Sequence, residues 1–203
     1  MPLKNCSDYF SLALIPLAIC SMTVNILLYF PNGDTTYAAS SQLTNYVWYF
    51  EGICFGGIMM LIIAVVLLLV DYYNCCIPSH MGTKTFDASC SKLGSPVFAI
   101  LGVAFSGYSL IISSLGLSQG PFCRTLDGWV YPFKDTSVGY LSQSSTWSQC
   151  IEPANVVEWN IILFSILIAL SALQVIICLL KVIYDLKIIL CGTHSILVHP
   201  EAV

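Results

Sequence analysis

Asn25, Glu51, Glu158 and Asn160 are the polar side chains of this 203-residue chain placed to do chemistry inside apolar surroundings. Asn25 lies five residues before the end of the first long apolar run, about 7–8 Å along a helix. Glu51 lies equally deep in the second run, and Glu158 and Asn160 open the fourth. A carboxylate there has to be paired or protonated, because exposure to lipid costs ~2.5–3.5 kcal/mol or more. Two chemistries fit such a layer. One is the mouth of a substrate or ion pathway. The other is a hydrogen-bond clamp in which Glu51 meets Asn25 or Asn160 and orients the adjoining loops. A pathway has to continue across the membrane, and beyond this layer the sequence offers only Thr23, Ser21 and Gln174, with no charged series. The clamp is therefore the expectation.

Catalysis finds no such footing. His80, His194 and His199 all fall on the side of the chain remote from Glu51 and Glu158. No Cys-X-X-Cys pair, His-Glu-X-X-His helix, phosphate-binding glycine loop or nucleophile elbow occurs. A zinc site from Cys75, Cys76, Cys90 and His80 would need adjacent ligands that strain a tetrahedron. The reading is a protein with no catalytic residues, no metal and no cofactor. Net charge −4 without a Lys/Arg cluster excludes a nucleic-acid partner.

The elements that position these residues are four apolar runs, at residues 9–30, 46–70, 95–117 and 157–180. Each is long enough to cross the ~30 Å hydrocarbon core of a bilayer as a helix. With 57% hydrophobic and 9% charged residues and a mean hydropathy of +0.83, the chain belongs in the lipid bilayer. The expected fold is an all-α membrane protein: a four-transmembrane-helix bundle, one domain over 1–203, with a small and a large extracellular loop. Lys4, Lys84, Lys92, Lys181 and Lys187 fall on one side and Arg124 and Lys134 on the other, so both termini are assigned to the cytosol. The first run reads as a retained signal anchor rather than a cleaved peptide. The sequon Asn5-Cys6-Ser7 then faces the cytosol and stays unglycosylated. Pro31-Asn32-Gly33-Asp34 turns the chain into the small loop.

The large outer loop, 118–156, holds Cys123 and Cys150, the only two cysteines expected in the oxidising compartment, and they are expected to pair. Trp129, Tyr131, Phe133, Tyr140 and Trp147 lie in the same loop, where large rigid rings serve as a loop core, as interface rings or as partner-binding anchors. An inner loop over 71–94 carries Cys75, Cys76 and Cys90. Cys75, Cys76, Cys6 and Cys191 lie near the cytosolic ends of spans, where thiols are acceptors for palmitoylation.

Within the membrane, small residues at helical spacing let helices approach closely. The third run has Gly102, Ser106, Ser109, Ser113 and Gly116 on one face. The second has Gly52 and Gly56, and the fourth Ser165, Ala169 and Ala172. These favour a left-handed bundle with the second and third spans closely paired. A lateral dimer through the Gly52/Gly56 face is the second option.

Four blocks carry a resemblance: Asn25–Gly33, Tyr46–Ile53, Ser106–Pro121 and Glu152–Asn160, together with Trp147 and Cys150. They resemble the transmembrane four, L-six family (the tumour-associated L-six antigen group), over nearly the whole chain. The family is similar to tetraspanins in architecture, but this loop lacks their Cys-Cys-Gly motif. The resemblance implies a plasma-membrane organiser associating with integrins, tetraspanins or other membrane receptors and affecting adhesion, motility and growth; a homo-oligomer is the separate option that the Gly52/Gly56 face offers. A small channel or transporter and a claudin-like junction protein are the competing classes. Claudins, however, carry their large loop between the first two spans.

Overall fold

A computed structural model describes residues 6–33, 36, 43–49, 51–76, 85–134 and 139–197, with the backbone alone described at 6–8, 32, 51, 73–76, 85–93 and 191–197. Four helices are long and apolar enough to cross a membrane. They are α1 (Cys6–Leu28), a second span in which a π-helical segment (Glu51–Met59) leads into α2 (Met60–Cys76), α3 (Thr85–Gln119) and α4 (Val156–Leu197). They form an up-down-up-down ring: α1 packs on the second span and α4, α3 packs on the same two, and the second span and α4, diagonally opposed, keep their backbones apart and meet through long side chains. The two connections after α1 and α3 share one end of the bundle, here the loop end. The chain termini mark the other, the terminal end.

Three helices run past their apolar stretches. α2 continues to Cys76, α3 begins at Thr85 and α4 extends to Leu197. The expected inner loop over 71–94 is thus mostly helix, and so is most of the tail after 180. Hydropathy marks where hydrocarbon ends, whereas a helix continues until a breaker stops its hydrogen bonds.

The buried faces explain the ring. On α4, Asn160, Phe164, Leu167, Ser171, Gln174, Cys178, Lys181 and Asp185 alternate in steps of four and three, and all are buried. Ser95, Ala99, Gly102, Ser106, Ser109, Ser113 and Gly116 do the same on α3, as do Ser11, Leu14, Ala18, Ser21, Asn25 and Leu28 on α1. A repeat of about 3.5 residues winds helices into left-handed contact.

The α3 stripe faces α4, which it packs against more extensively than any other helix, and not chiefly the second span. The register is uniform. Phe164 sits on Gly116, Ser171 donates to Ser109 at 3.0 Å, Cys178 sits on Gly102 and Asp185 meets Ser95, each pairing seven residues from the next. Large side chains lie on glycines: a Cβ at Gly116 would stand 2.7 Å from the Phe164 ring, and one at Gly102 2.7 Å from the Cys178 sulfur. Ser165 and Ala169, expected in the α4 interface, are exposed on its outer face.

Gly52 and Gly56 are buried inside the bundle, so their face is not free for a lateral dimer. A Cβ on Gly52 would stand 2.5 Å from Asn25 Cβ, and one on Gly57 2.2 Å from Met22 Cγ. These glycines let α1 seat against the π-helical segment.

Candidate functional site

The large loop is built on the end of α3. Gly120 (φ +76°) ends that helix in the left-handed region, its N–H donating to Gly116 O at 3.2 Å. The chain then forms a hairpin of β1 (Cys123–Thr125) and β2 (Gly128–Val130), turning through Leu126-Asp127. The 151–152 segment adds to the free edge of β1: Arg124 N–H donates to Glu152 O at 2.9 Å, and Ile151 N–H to Arg124 O at 2.8 Å. Cys123 and Cys150 are disulfide-bonded with Cα atoms 5.5 Å apart, joining the hairpin to the returning chain. The Arg124–Glu152 ion pair (3.1 Å) is exposed at both partners and adds little.

Beneath the hairpin lies a small core. Phe133 and Tyr140 stack with centroids 4.7 Å apart, and each is only 2% exposed. They pack with Cys123, Val156 and Val157, which carries the loop core into the start of α4. The Tyr140 hydroxyl donates to Leu117 O at the end of α3, and Trp147 Nε1 donates to Tyr140 O at 2.8 Å. Burial pushes the Tyr140 phenol up to about 12. The loop also grips the small connection. Phe122 N–H donates to Thr44 Oγ1 (3.2 Å), and Asn45 N–H donates to the Tyr131 hydroxyl (2.9 Å). Burial raises the Tyr131 phenol, opposed by that Asn45 hydrogen bond.

Of the five rings expected to divide between loop core, interface and partner binding, Phe133 and Tyr140 are therefore core residues. Trp147 is half-buried and anchored by its indole. Trp129 and Tyr131 are half-buried beside Phe122, at 5.7 and 4.9 Å between centroids. The exposed apolar surface lies elsewhere, at Leu126 on the hairpin tip (94% exposed), Val130 and Ile151. Sequence reasoning passed over Leu126 because one leucine in a loop is ordinary. The Thr-Leu-Asp-Gly turn was the available signal, since a two-residue hairpin tip leaves its side chains no core to enter.

Below the loop, the described members of the expected polar layer, Asn25, Glu158 and Asn160, do not bond to one another. Asn25 is fully buried, and neither amide atom has a partner. Asn160 donates to Val156 O (3.1 Å) in its own helix, and its Oδ1 is unpaired. Glu158 is exposed in the first turn of α4, where the helix dipole favours a carboxylate, and not in the bundle. The Glu51 side chain lies outside the described residues, as do those of Cys6, Cys75, Cys76, Cys90 and Cys191.

Two bonded layers lie deeper. At mid-depth, Ser171 meets Ser109, and Gln174 Nε2 donates to Gly56 O in the π-helical segment (2.8 Å). At the terminal end, Lys181 Nζ donates to Asp71 (3.0 and 3.1 Å) and to Asp185 (2.9 Å), while Ser95 Oγ donates to the other Asp185 oxygen (2.5 Å). Lys181 is 1% exposed. This ionic cluster ties α2, α3 and α4 together, whereas in the sequence Lys181 serves only as one of the basic residues assigned to the cytosolic side. Its signal was the i,i+4 pair Lys181–Asp185 continuing the α4 stripe beside an aspartate ending the second run. Between the two layers Leu14, Ala18, Met60, Ile63, Ala64, Leu67 and Cys178 form one apolar cluster.

A model of the L6 membrane protein family matches residues 1–195. The chain belongs to that family. It is 58% identical to transmembrane 4 L6 family member 18 of Homo sapiens and 56% identical to that of Bos taurus, each over 200 residues and 97% of both chains. Identity to transmembrane 4 L6 family member 1 of Homo sapiens is 42%, over 92% of both chains. No solved structure matches the chain. Membership agrees with the blocks from Asn25–Gly33 to Glu152–Asn160, which now fall in identifiable places: the first two at the tight α1–Gly52 contact, the last two around Gly116 and the start of α4.

Proposed function

We propose that this L6 family protein is a non-catalytic, tetraspanin-like scaffold of the plasma membrane, with cytosolic termini, that holds adhesion and growth receptors laterally. It would thereby affect adhesion, motility and proliferation. The observation that carries this reading is the rigid mounting of the large loop. Its disulfide, its Phe133–Tyr140 core and its bonds to Leu117, Thr44 and Asn45 present Leu126, Val130 and Ile151 to the outside on a fixed base. A partner confined to the same membrane gains effective concentration, so a small apolar contact is enough. Integrins, tetraspanins and other receptors are the expected partners, and palmitoylation of Cys75, Cys76, Cys6 and Cys191 would strengthen lateral association.

The channel reading has less support. The apolar cluster around Met60, Leu67 and Cys178 separates the mid-depth polar layer from the ionic one. The test is a mild-detergent pull-down from plasma membranes comparing wild type with Leu126→Asp/Ile151→Asp, which leaves the loop core intact. Receptors lost from the variant support the scaffold and place its contact on the hairpin tip. The absence of any membrane partner from the wild type would overturn it.

A further inference from the structure

The four helices are not held alike, and the difference falls within α1. On the loop side of Pro16, α1 is fixed at four points. Asn25 seats on Gly52 and Met22 on Gly57, both too close for any other residue in the glycine positions. Trp159 Nε1 donates to Leu27 O at 3.1 Å, and the Tyr29 hydroxyl donates to Val47 O at 2.7 Å. On the other side of Pro16 no such fixing occurs among the described residues. Ser11 is fully buried and its hydroxyl has no partner. Leu14 and Ile15 make apolar contacts only, and Phe10 meets Tyr184 at 6.4 Å between ring centroids.

Pro16 stands between these halves inside the helix. Its ring has no N–H to donate to the carbonyl of Leu12, so the turn there lacks a backbone bond and bends cheaply. The neighbours at the same level cannot follow, because Lys181, Asp71, Asp185 and Ser95 lock α2, α3 and α4 to one another.

We propose that the terminal-side half of α1 is a hinged arm. It turns about Pro16 away from α2 and α4 while the loop-side half stays seated. The motion opens a lateral crevice between Leu14 on the arm and Met60, Ile63, Leu67 and Cys178 on the fixed helices. Within lipid the apolar wall loses no hydrophobic driving force when uncovered, since acyl chains replace the arm. The unbonded Ser11 hydroxyl gives up no hydrogen bond. This device does not depend on the scaffold reading, and its test does not involve a partner.

The test uses the full chain in lipid nanodiscs, with genetically encoded spin-labelled residues so that the ten native cysteines stay in place. One labelled pair, Leu12 with Val65, spans the α1–α2 contact beyond Pro16. A control pair, Ile19 with Ile58, spans the same contact on the loop side. All four positions are exposed, and the register that seats Asn25 on Gly52 levels each pair. The arm predicts one narrow distance for the control and a second, longer population for Leu12/Val65. Pro16→Leu, which restores the helical donor, removes that second population. A single narrow distance for Leu12/Val65 in the wild type overturns the proposal. So does a second population of equal size in the control pair, which would make all of α1 mobile, or one that survives Pro16→Leu.

Discussion

The first helix and the other three bury the same kind of face and hold it in different ways. α1 presents Ser11, Ser21 and Asn25 to the interior, and none of their side-chain polar atoms has a partner. α3 and α4 present serines, a glutamine, a lysine and an aspartate at the same spacing, and most of these bond across to another helix. α1 is therefore held by shape, through glycine notches and hydrogen bonds at the loop end. The α2–α4 trio is held by shape and by polar cross-links at two depths. In lipid this difference matters more than in water, because burial itself supplies no attraction between helices. What remains is close packing and hydrogen bonding, and α1 has chiefly the first.

The largest way to break the comparison is at Lys181. Lys181→Leu leaves Asp71 and Asp185 buried without their cation, and removing one partner of a buried ion pair costs about 3–5 kcal/mol. The expected result is a large fall in the thermal unfolding midpoint in nanodiscs. The triple change Lys181→Leu/Asp71→Leu/Asp185→Leu recovers most of it, since the charges go together. Failure of the triple variant to recover would show that the cluster does more than neutralise itself.

The glycine contacts come next. Gly57→Val drives a side chain into Met22, and Gly116→Val drives one into Phe164. Overpacking of this kind costs about 1–3 kcal/mol at each site. Because no described side chain inside the bundle bonds α1 to its neighbours, Gly57→Val should weaken protection of α1 against protease more than Gly116→Val weakens that of α3. Equal effects would blunt the distinction.

The loop gives a smaller, pH-dependent effect. Tyr140 is raised from about 10 to about 12 by burial. Below pH 10 the phenol is neutral in both folded and unfolded loops, so its contribution to the loop's stability is fully present and does not change with pH. Between pH 10 and 12 the unfolded loop ionises first and binds fewer protons, so stability falls as pH rises through that window. Tyrosinate absorbance should show one fewer late-titrating phenol in Tyr140→Phe than in the wild type, with Tyr131, also raised by burial, remaining in both.

Much of this was legible in the sequence, for definite reasons. Span length follows from bilayer thickness, so the four runs identify the helices within a few residues, though not where α3 begins or α4 ends. The Gly102–Gly116 stripe is visible as a face because its spacing is helical. Which neighbour it meets is not, since α3 has two neighbours and only the seven-residue match with Phe164, Ser171, Cys178 and Asp185 selects α4. Ser165 and Ala169 misled for the complementary reason: small residues also occur on the lipid face. Lys181 enters the sequence reading only as one of five basic residues that set the orientation, and nothing immediately beside it in the sequence marks it as buried. Its burial depends on Asp71, 110 residues away in sequence, and no local pattern carries that. The sequence leaves the five loop rings divided between core, interface and partner binding, and only the packing assigns Phe133 and Tyr140 to the core.

Hydroxyl deletion tests the central claim most directly. Ser11→Ala/Ser21→Ala removes two buried hydroxyls from α1, and Ser109→Ala/Ser171→Ala removes two that bond α3 to α4. Both double variants delete the same atoms at full burial, and their unfolding midpoints are measured in one lipid. An interhelical hydrogen bond in membranes is worth about 0.6 kcal/mol, with a maximum near 1.7. The α3–α4 double variant is expected to lower the midpoint, and the α1 double variant to leave it unchanged or raise it. A fall of equal size in both would contradict that claim, for α1 would then be bonded to the bundle as firmly as the rest.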